Sequence, residues 1–322
     1  MENNNIDKIL LNANLIKKDF DSESLIRTVD TIKQNLLNLF PHIQESNKID
    51  LEHKNGFKID LTQLTSILNH TKLNHVFGEV LESTKSEDKK LMYGKQVFDQ
   101  GTVVIINDGN TYEIIELLIK NILAGNSTIF VNSGFLFGTN NFVIKIVQDI
   151  LEQNNINKNI VQLYITEDLN SVFNKYANID LIIGIGNRRF QQQILEQSKN
   201  KTIVSGYHNY DLYIEDKKDL EFINKILKST SNLQLYIKEG IGLDQKNAMI
   251  VADIDEAIAQ INFSGSKYSA SIITDNEFNA SKFVSEVKSS YVTLNTSPTI
   301  EKVLDISDSE LIKIKTIINP TK

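Results

Sequence analysis

Few residues in this chain have the types and spacing to do chemistry. Gly184-Ile185-Gly186-Asn187 closes an apolar run and precedes a polar stretch with helical character. A turn of that kind lets backbone amides approach a phosphate at a helix N-terminus, and it serves equally as an ordinary strand-to-helix turn. Asn132-Ser133-Gly134 ends a second apolar run and turns the chain. Asn107 and Asn110 stand in the turn Asn107-Asp108-Gly109-Asn110, suited to capping the helix that follows. His42, His53, His70, His75 and His208 lack metal-ligand spacing. Cysteine is absent from all 322 residues, which removes disulfides, thiolate metal sites and any thiol nucleophile.

These residues need elements to hold them. Gly101–Ser133 sets the pattern: Val103-Val104-Ile105-Ile106 reads as a strand buried on both faces. Ile115, Leu118, Ile119 and Ile122 fall at helical spacing behind it, Ala124-Gly125-Asn126 ends that helix, and Thr128–Val131 returns to the sheet. Strand, crossover helix and strand predict a parallel pair. The alternation continues through a helix at 140–153, strands at 159–165 and 180–185, a helix at 188–199 and a strand at 202–204. A second alternating block starts near Asp211, with strands at 212–214, 233–237, 248–251, 270–274 and 290–294. Residues 1–85 read as three helices, Ile6–Leu15, Ser22–Leu39 and one across Leu61–Leu81, and Tyr93–Gln100 as an edge strand or hairpin arm. The fold class expected is α/β, a doubly wound parallel sheet domain over about 1–210 and a smaller α/β domain over 211–300. Residues 301–322 remain as a tail, in which Leu311–Ile318 alternates like a strand with one buried face.

Composition narrows the class. Hydrophobic residues make up 41% and charged residues 23%, ordinary for a globular protein. The net charge of −7, with no basic stripe, argues against nucleic acid as a partner. No apolar run approaches a membrane span and MENNNIDKIL lacks a secretory signal pattern, so no membrane partner and a cytoplasmic location are expected.

Three segments together resemble the aldehyde dehydrogenase superfamily and, more closely, the γ-glutamyl phosphate reductases (glutamate-5-semialdehyde dehydrogenases) of proline synthesis. They are Gly101–Asn126, Asp180–Asn187 with Glu196-Gln197-Ser198 behind it, and Ala248–Ser297 with its runs DIDEAIAQI, SKYSASIITDN, ASKFVSEVKSS and YVTLNTS. The resemblance implies an aldehyde-dehydrogenase-like fold. It implies an oxyanion-binding amide at Asn107 or Asn110, substrate contacts at Asn295 and Ser297, and cofactor contacts at Asn132, Ser133, Gly184, Gly186 and Asn187. The family's nucleophile is a cysteine before the strand matched by Leu233–Ile237, a place taken here by Ser229 or Ser231. The family's lysine after the strand matched by Thr128–Val131 falls on Gly134 or Phe135, and several dozen family residues are missing before Ala248 and after Ser297. A serine hydroxyl needs a neighbouring base to attack, and no histidine lies within ten residues of either serine. The resemblance therefore implies a degenerate member without dehydrogenase activity, kept for binding or assembly. The alternatives are an NADPH-dependent reductase of γ-glutamyl phosphate and a small-molecule or nucleotide sensor. No cofactor is expected to bind tightly, NADPH or NADP binding weakly at best. The resemblance also implies a homodimer, or a heterodimer with an intact paralogue, through the Tyr93–Gln100 arm and the C-terminal strand.

Overall fold

The computed structural model describes residues 5–53, 58–86, 91–107, 111–132, 137–186, 188–205, 210–216, 220–230, 233–243, 248–265, 268–299 and 306–320. The chain forms two compact units, Met1–Gly206 with Val303–Lys322, and Tyr207–Lys302.

The first unit opens with α1 (Ile6–Leu15), α2 (Ser22–Asn38), α3 (Phe40–His53) and α4 (Leu61–His70), followed by β1 (Val80–Ser86) and β2 (Leu91–Asp99). Its α/β part is β3 (Thr102–Asn107), α5 (Thr111–Leu123), β4 (Ser127–Asn132), α6 (Phe137–Gln153), β5 (Val161–Ile165), α7 (Asn170–Phe173), β6 (Leu181–Ile185), α8 (Arg188–Gln197) and β7 (Thr202–Ser205). These strands form a parallel sheet in the order β5-β4-β3-β6-β7, with β3 central and all six of its residues buried. The both-faces-buried composition of Val103–Ile106 has its cause here: α5 covers one face and α1 the other, each inserting apolar side chains. Every residue of α5 is buried. Gly125, at φ +70°, turns the chain out of α5, and its missing Cβ makes room for the Phe77 ring. Asn126 beside it accepts from the Gln100 amide at 2.8 Å and donates to the Asn121 side chain and the Leu311 carbonyl, both at 2.9 Å.

Three expectations in this unit change. Residues 40–53 form α3, with Pro41 in its first turn, where a missing N–H does no harm. The helix expected across Leu61–Leu81 ends at His70; Leu73 is buried from a loop, and Gly78, at φ +85°, leads into β1. Tyr93–Gln100, read as an edge strand or hairpin arm, falls in β2, which pairs antiparallel with β1 as a hairpin arm does but is the middle strand, not an edge, of the sheet β1-β2-β13, where β13 spans Ile312–Pro320. The tail is therefore part of the first unit. Ile306, Leu311 and Ile312 join its main core, and Lys120, buried on α5, bonds Glu116 at 3.0 Å and Asp308 at 3.6 Å.

The second unit holds β8 (Tyr210–Ile214), α9 (Leu220–Ser229), β9 (Leu233–Lys238), β10 (Ala248–Val251), α10 (Ile254–Ser264), β11 (Ser269–Ile273), α11 (Glu277–Glu286) and β12 (Tyr291–Leu294). Its parallel sheet runs β10-β9-β8-β11-β12. One face packs under α10 and α11 around Tyr213, Tyr236 and Phe283; the other carries Leu212, Ile214, Leu235 and Ile237 against Ile223 and Ile226 of α9.

Candidate functional site

The carboxyl edge of the first sheet is where a doubly wound fold places a ligand, beside the point at which the chain reverses its direction across the sheet. That point lies between β3 and β6. Asn107 ends β3 in register with Asn132 of β4 and Ile185 of β6, and both asparagines are only 3% exposed. The sheet thus brings Asn107 and Asn132 together at this edge. Asn110, Ser133 and Asn187 lie outside the described residues.

The glycine turn is committed to the sheet. A Cβ on Gly184 would lie 2.6 Å from Ile194 Cδ1, so the bare Cα lets α8 approach β6. The Gly186 amide donates to the Ser205 carbonyl at 3.1 Å, and Gln191 Nε2 donates to the carbonyls of Gly186 (2.8 Å) and Ser205 (3.2 Å). The N-terminus of α6 is also engaged. The Gly138 amide donates to Asp50 Oδ1 at 3.1 Å, while the Thr139 amide and hydroxyl donate to Asp50 Oδ2 at 2.8 and 2.6 Å. The phosphates of a nicotinamide dinucleotide, the group implied by the family resemblance, do not fit these two seats as they stand. The Gly186 amide already has an acceptor, and a carboxylate fills the end of α6.

The amino edge of the second sheet collects hydroxyls. Ser229 ends α9; its side chain, like all of Ser231, lies outside the described residues. Thr230 between them is 9% exposed, with Oγ1 3.5 Å from Ser297 Oγ and 3.3 Å from Thr299 Oγ1. Ser297 Oγ donates to Thr299 Oγ1 at 2.9 Å. Ser297 reaches this edge because residues 295–299 run back along β11. The Asn295 amide donates to the Ile272 carbonyl at 2.9 Å, and Ser271 Oγ and Ser269 Oγ donate to the carbonyls of Thr296 and Pro298, both at 2.6 Å. Ser297 is thereby joined to the Ser229–Ser231 region. Asn295 is not: it stays at the carboxyl edge at φ +52°, its Oδ1 accepting from the Thr274 amide at 2.9 Å.

Sequence reasoning missed Thr230, Thr299 and three tyrosines at the same edge. Tyr268 has its ring centroid 6.1 Å from Tyr210 and 5.3 Å from Tyr291, and burial pushes the Tyr210 phenol up. The run Ser229-Thr230-Ser231 was the available signal for the first. Among the described residues no ionisable side chain bonds Thr230, Ser297 or Thr299, so none of them stands ready as a base to activate a hydroxyl. No His/Asp/Glu group suited to a metal occurs among the described residues, and none of their helices is long and apolar enough to cross a membrane.

The carboxyl edge of the second sheet is closed by Glu215. It accepts from Thr274 Oγ1 (2.5 Å), Asn279 Nδ2 (2.7 Å) and Lys238 Nζ (3.2 Å). Burial alone would raise its carboxyl, but these donors outweigh burial and hold it below the ordinary value.

Comparison with solved structures decides the architecture. A γ-glutamyl phosphate reductase from Thermotoga maritima superposes with a TM-score of 0.70 at 16% identity, covering 98% of each chain. A glyceraldehyde-3-phosphate dehydrogenase from Methanocaldococcus jannaschii, solved with NADP, gives a TM-score of 0.72 at 12% identity over 98% of this chain and 94% of that one. The fold is that of the aldehyde dehydrogenases. In sequence the chain resembles the γ-glutamyl phosphate reductases: that of Clostridium perfringens is 24% identical over 83% of this chain and 81% of its own length. No protein-family model matches the chain.

Proposed function

We propose that this chain is a γ-glutamyl-phosphate-reductase-like protein that has lost covalent hydride chemistry and is retained for binding or assembly. One observation carries the reading. In a chain without cysteine, the hydroxyls of Thr230, Ser297 and Thr299 beside the place of the family's thiol bond one another, and among the described residues no ionisable side chain bonds them. A hydroxyl without a base is a poor nucleophile at neutral pH, and no other thiol in the chain can replace it. Weak NADPH or NADP binding belongs to the same reading. It is supported by the engaged Gly186 amide, the filled α6 terminus and the missing lysine after β4. Losing one charge-assisted phosphate contact removes about 1.5–3 kcal/mol, one to two decades of affinity. A calorimetric titration with NADPH should give a weak isotherm or none; tight saturable binding would overturn this part.

The relatives' name supports a second reading, an NADPH-dependent reductase of γ-glutamyl phosphate using another group. Turnover in the unmodified protein, abolished by Ser229→Ala, would establish it. Assembly is proposed to use the β1-β2-β13 sheet, as a homodimer or with an intact paralogue. Ile314 and Ile318 of β13 are 53% and 55% exposed, and β13 is an edge strand open to another chain. Sedimentation should show a dimer, and Ile314→Lys with Ile318→Lys a folded monomer; a wild type that sediments as a monomer at tens of micromolar contradicts this.

A further inference from the structure

β13 carries an inference that rests on, and deepens, the proposed assembly through the β1-β2-β13 sheet. That sheet has two outer edges, and they are built differently. β1 is blunted: its register with β2 slips between Val80 and Glu82, and Glu82 and Lys85 charge its rim. β13 has neither protection. It pairs with β2 without irregularity from Ile312 opposite Asp99 to Pro320 opposite Leu91, and among the described residues no strand takes its other side. Its two lysines, of the type that ordinarily guards an edge, are turned back onto their own unit. Lys313 Nζ donates to the Gln100 carbonyl, and Lys315 Nζ lies 4.2 Å from the centroid of the Phe98 ring. Both lysines share the face that carries Phe98, which leaves Ile314, Thr316 and Ile318 on the other face, all exposed.

The sequence of β13 suits pairing with itself. Two antiparallel copies are related by a two-fold axis through the sheet, and the residue on that axis sets the register. An axis on Thr316, the middle residue, overlaps the whole of β13. Ile314 then stands opposite Ile318, Lys315 opposite Ile317 and Lys313 opposite Asn319, so no lysine meets a lysine. Pro320, with no N–H to give, falls at the outer end. An axis on Ile314 sets Lys313 against Lys315, and one on Lys315 sets that residue against itself. Like charges directly opposite are destabilising, so both registers are disfavoured.

We propose that β13 is a homodimerisation strand: two copies pair antiparallel about Thr316, and the sheet β1-β2-β13 continues into β13, β2 and β1 of the second copy. Ile314 and Ile318 of each copy meet on one face as cross-strand pairs on either side of the two threonines. The blunted β1 strands end outermost, which stops the assembly at two copies.

The chain has no cysteine, so an introduced one is its only thiol. Thr316→Cys, Ile314→Cys and Ile318→Cys are each oxidised mildly and read on a non-reducing gel, beside sedimentation of the wild type. Opposed residues of an antiparallel pair have Cα atoms about 4.5–5.5 Å apart, within disulfide reach. A thiol at position 314 or 318 lies four residues along the strand from its copy, on the order of 14 Å. The expected result is a disulfide dimer from Thr316→Cys, formed at least about tenfold faster than from either isoleucine variant alone. Ile314→Cys and Ile318→Cys combined in one chain should crosslink as readily as Thr316→Cys. Equal rates for the three single variants, with a wild type that sediments as a dimer, overturn the pairing about Thr316 and leave the assembly reading in place. A wild type that stays monomeric overturns both, and one that associates only with an intact paralogue overturns the self-pairing alone. Species larger than a dimer would mean that β13 pairs with β1 of another copy, and would overturn it as well.

Discussion

The two parallel sheets share one strand order, with the first strand of each in the centre, yet they commit their ends differently. In the first, the inner strands β3, β4 and β6 are wholly buried and the carboxyl edge is engaged by the rest of its own unit, through Asp50, Gln191 and Ser205. In the second, the carboxyl edge is locked by Glu215, and the mutually bonded hydroxyls of Thr230, Ser297 and Thr299 gather at the amino edge. One topology thus supports two distributions of polar chemistry. Side chains on the edges decide what each sheet can do.

The comparison is broken most strongly at Lys120, where the first unit buries a charge to hold its C-terminal segment. Lys120→Ala leaves Glu116 and Asp308 without their cation, and loss of about 3–5 kcal/mol is expected in urea denaturation. A loss below about 1 kcal/mol would mean that the segment is held by its other contacts, the burial of Leu311 and Ile312 and the pairing of β13 with β2. Glu215→Gln tests the second unit's lock and should lose about 1.5–3 kcal/mol at neutral pH. Because the folded carboxyl is held below its ordinary 4.5, its contribution is present above that value and is lost as pH falls through the lower folded one. The glutamine variant should therefore show a flatter acid limb in stability against pH, and an unchanged limb would contradict the lock.

Gly184→Ala sharpens the difference between a packing glycine and a phosphate glycine. Overpacking against Ile194 should destabilise by about 1–3 kcal/mol, and Ile194→Val in the same chain should recover part of it. An affinity change with no stability change would restore the phosphate reading of that turn. The smallest effect is expected at Asp253, which caps α10 through the Glu256 amide at 3.0 Å; Asp253→Ala should lose about 1 kcal/mol by the same measurement.

The alternation of strand and helix was legible because β3, β4 and β6 of the first sheet are buried on both faces, and burial of that kind leaves an unbroken apolar run. The helix at residues 40–53 was not, because its polar sequence and Pro41 look like a break until the first-turn position of the proline is known. The loop around Leu73, Val76 and Phe77 imitates helical spacing, though its apolar groups dock onto a core formed by distant elements. The place of the C-terminal strand depends on contacts such as Asn126 to Leu311 and Lys313 to Gln100, some two hundred residues apart, which local periodicity does not encode. At the candidate site, sequence led to Ser229, Ser231 and Ser297 separately. Only the return of residues 295–299 along β11 shows that Thr230 joins Ser297. A G-x-G turn reads alike whether its Cα faces Ile194 or a phosphate.

The central claim is that covalent hydride chemistry is gone. Its most direct test is the NADP-dependent, phosphate-dependent oxidation of glutamate-5-semialdehyde by the purified full-length chain, followed by NADPH absorbance beside a cysteine-containing γ-glutamyl phosphate reductase. The account predicts a rate indistinguishable from the protein-free background. A rate well above that background, proportional to protein and abolished by Ser229→Ala, would contradict it.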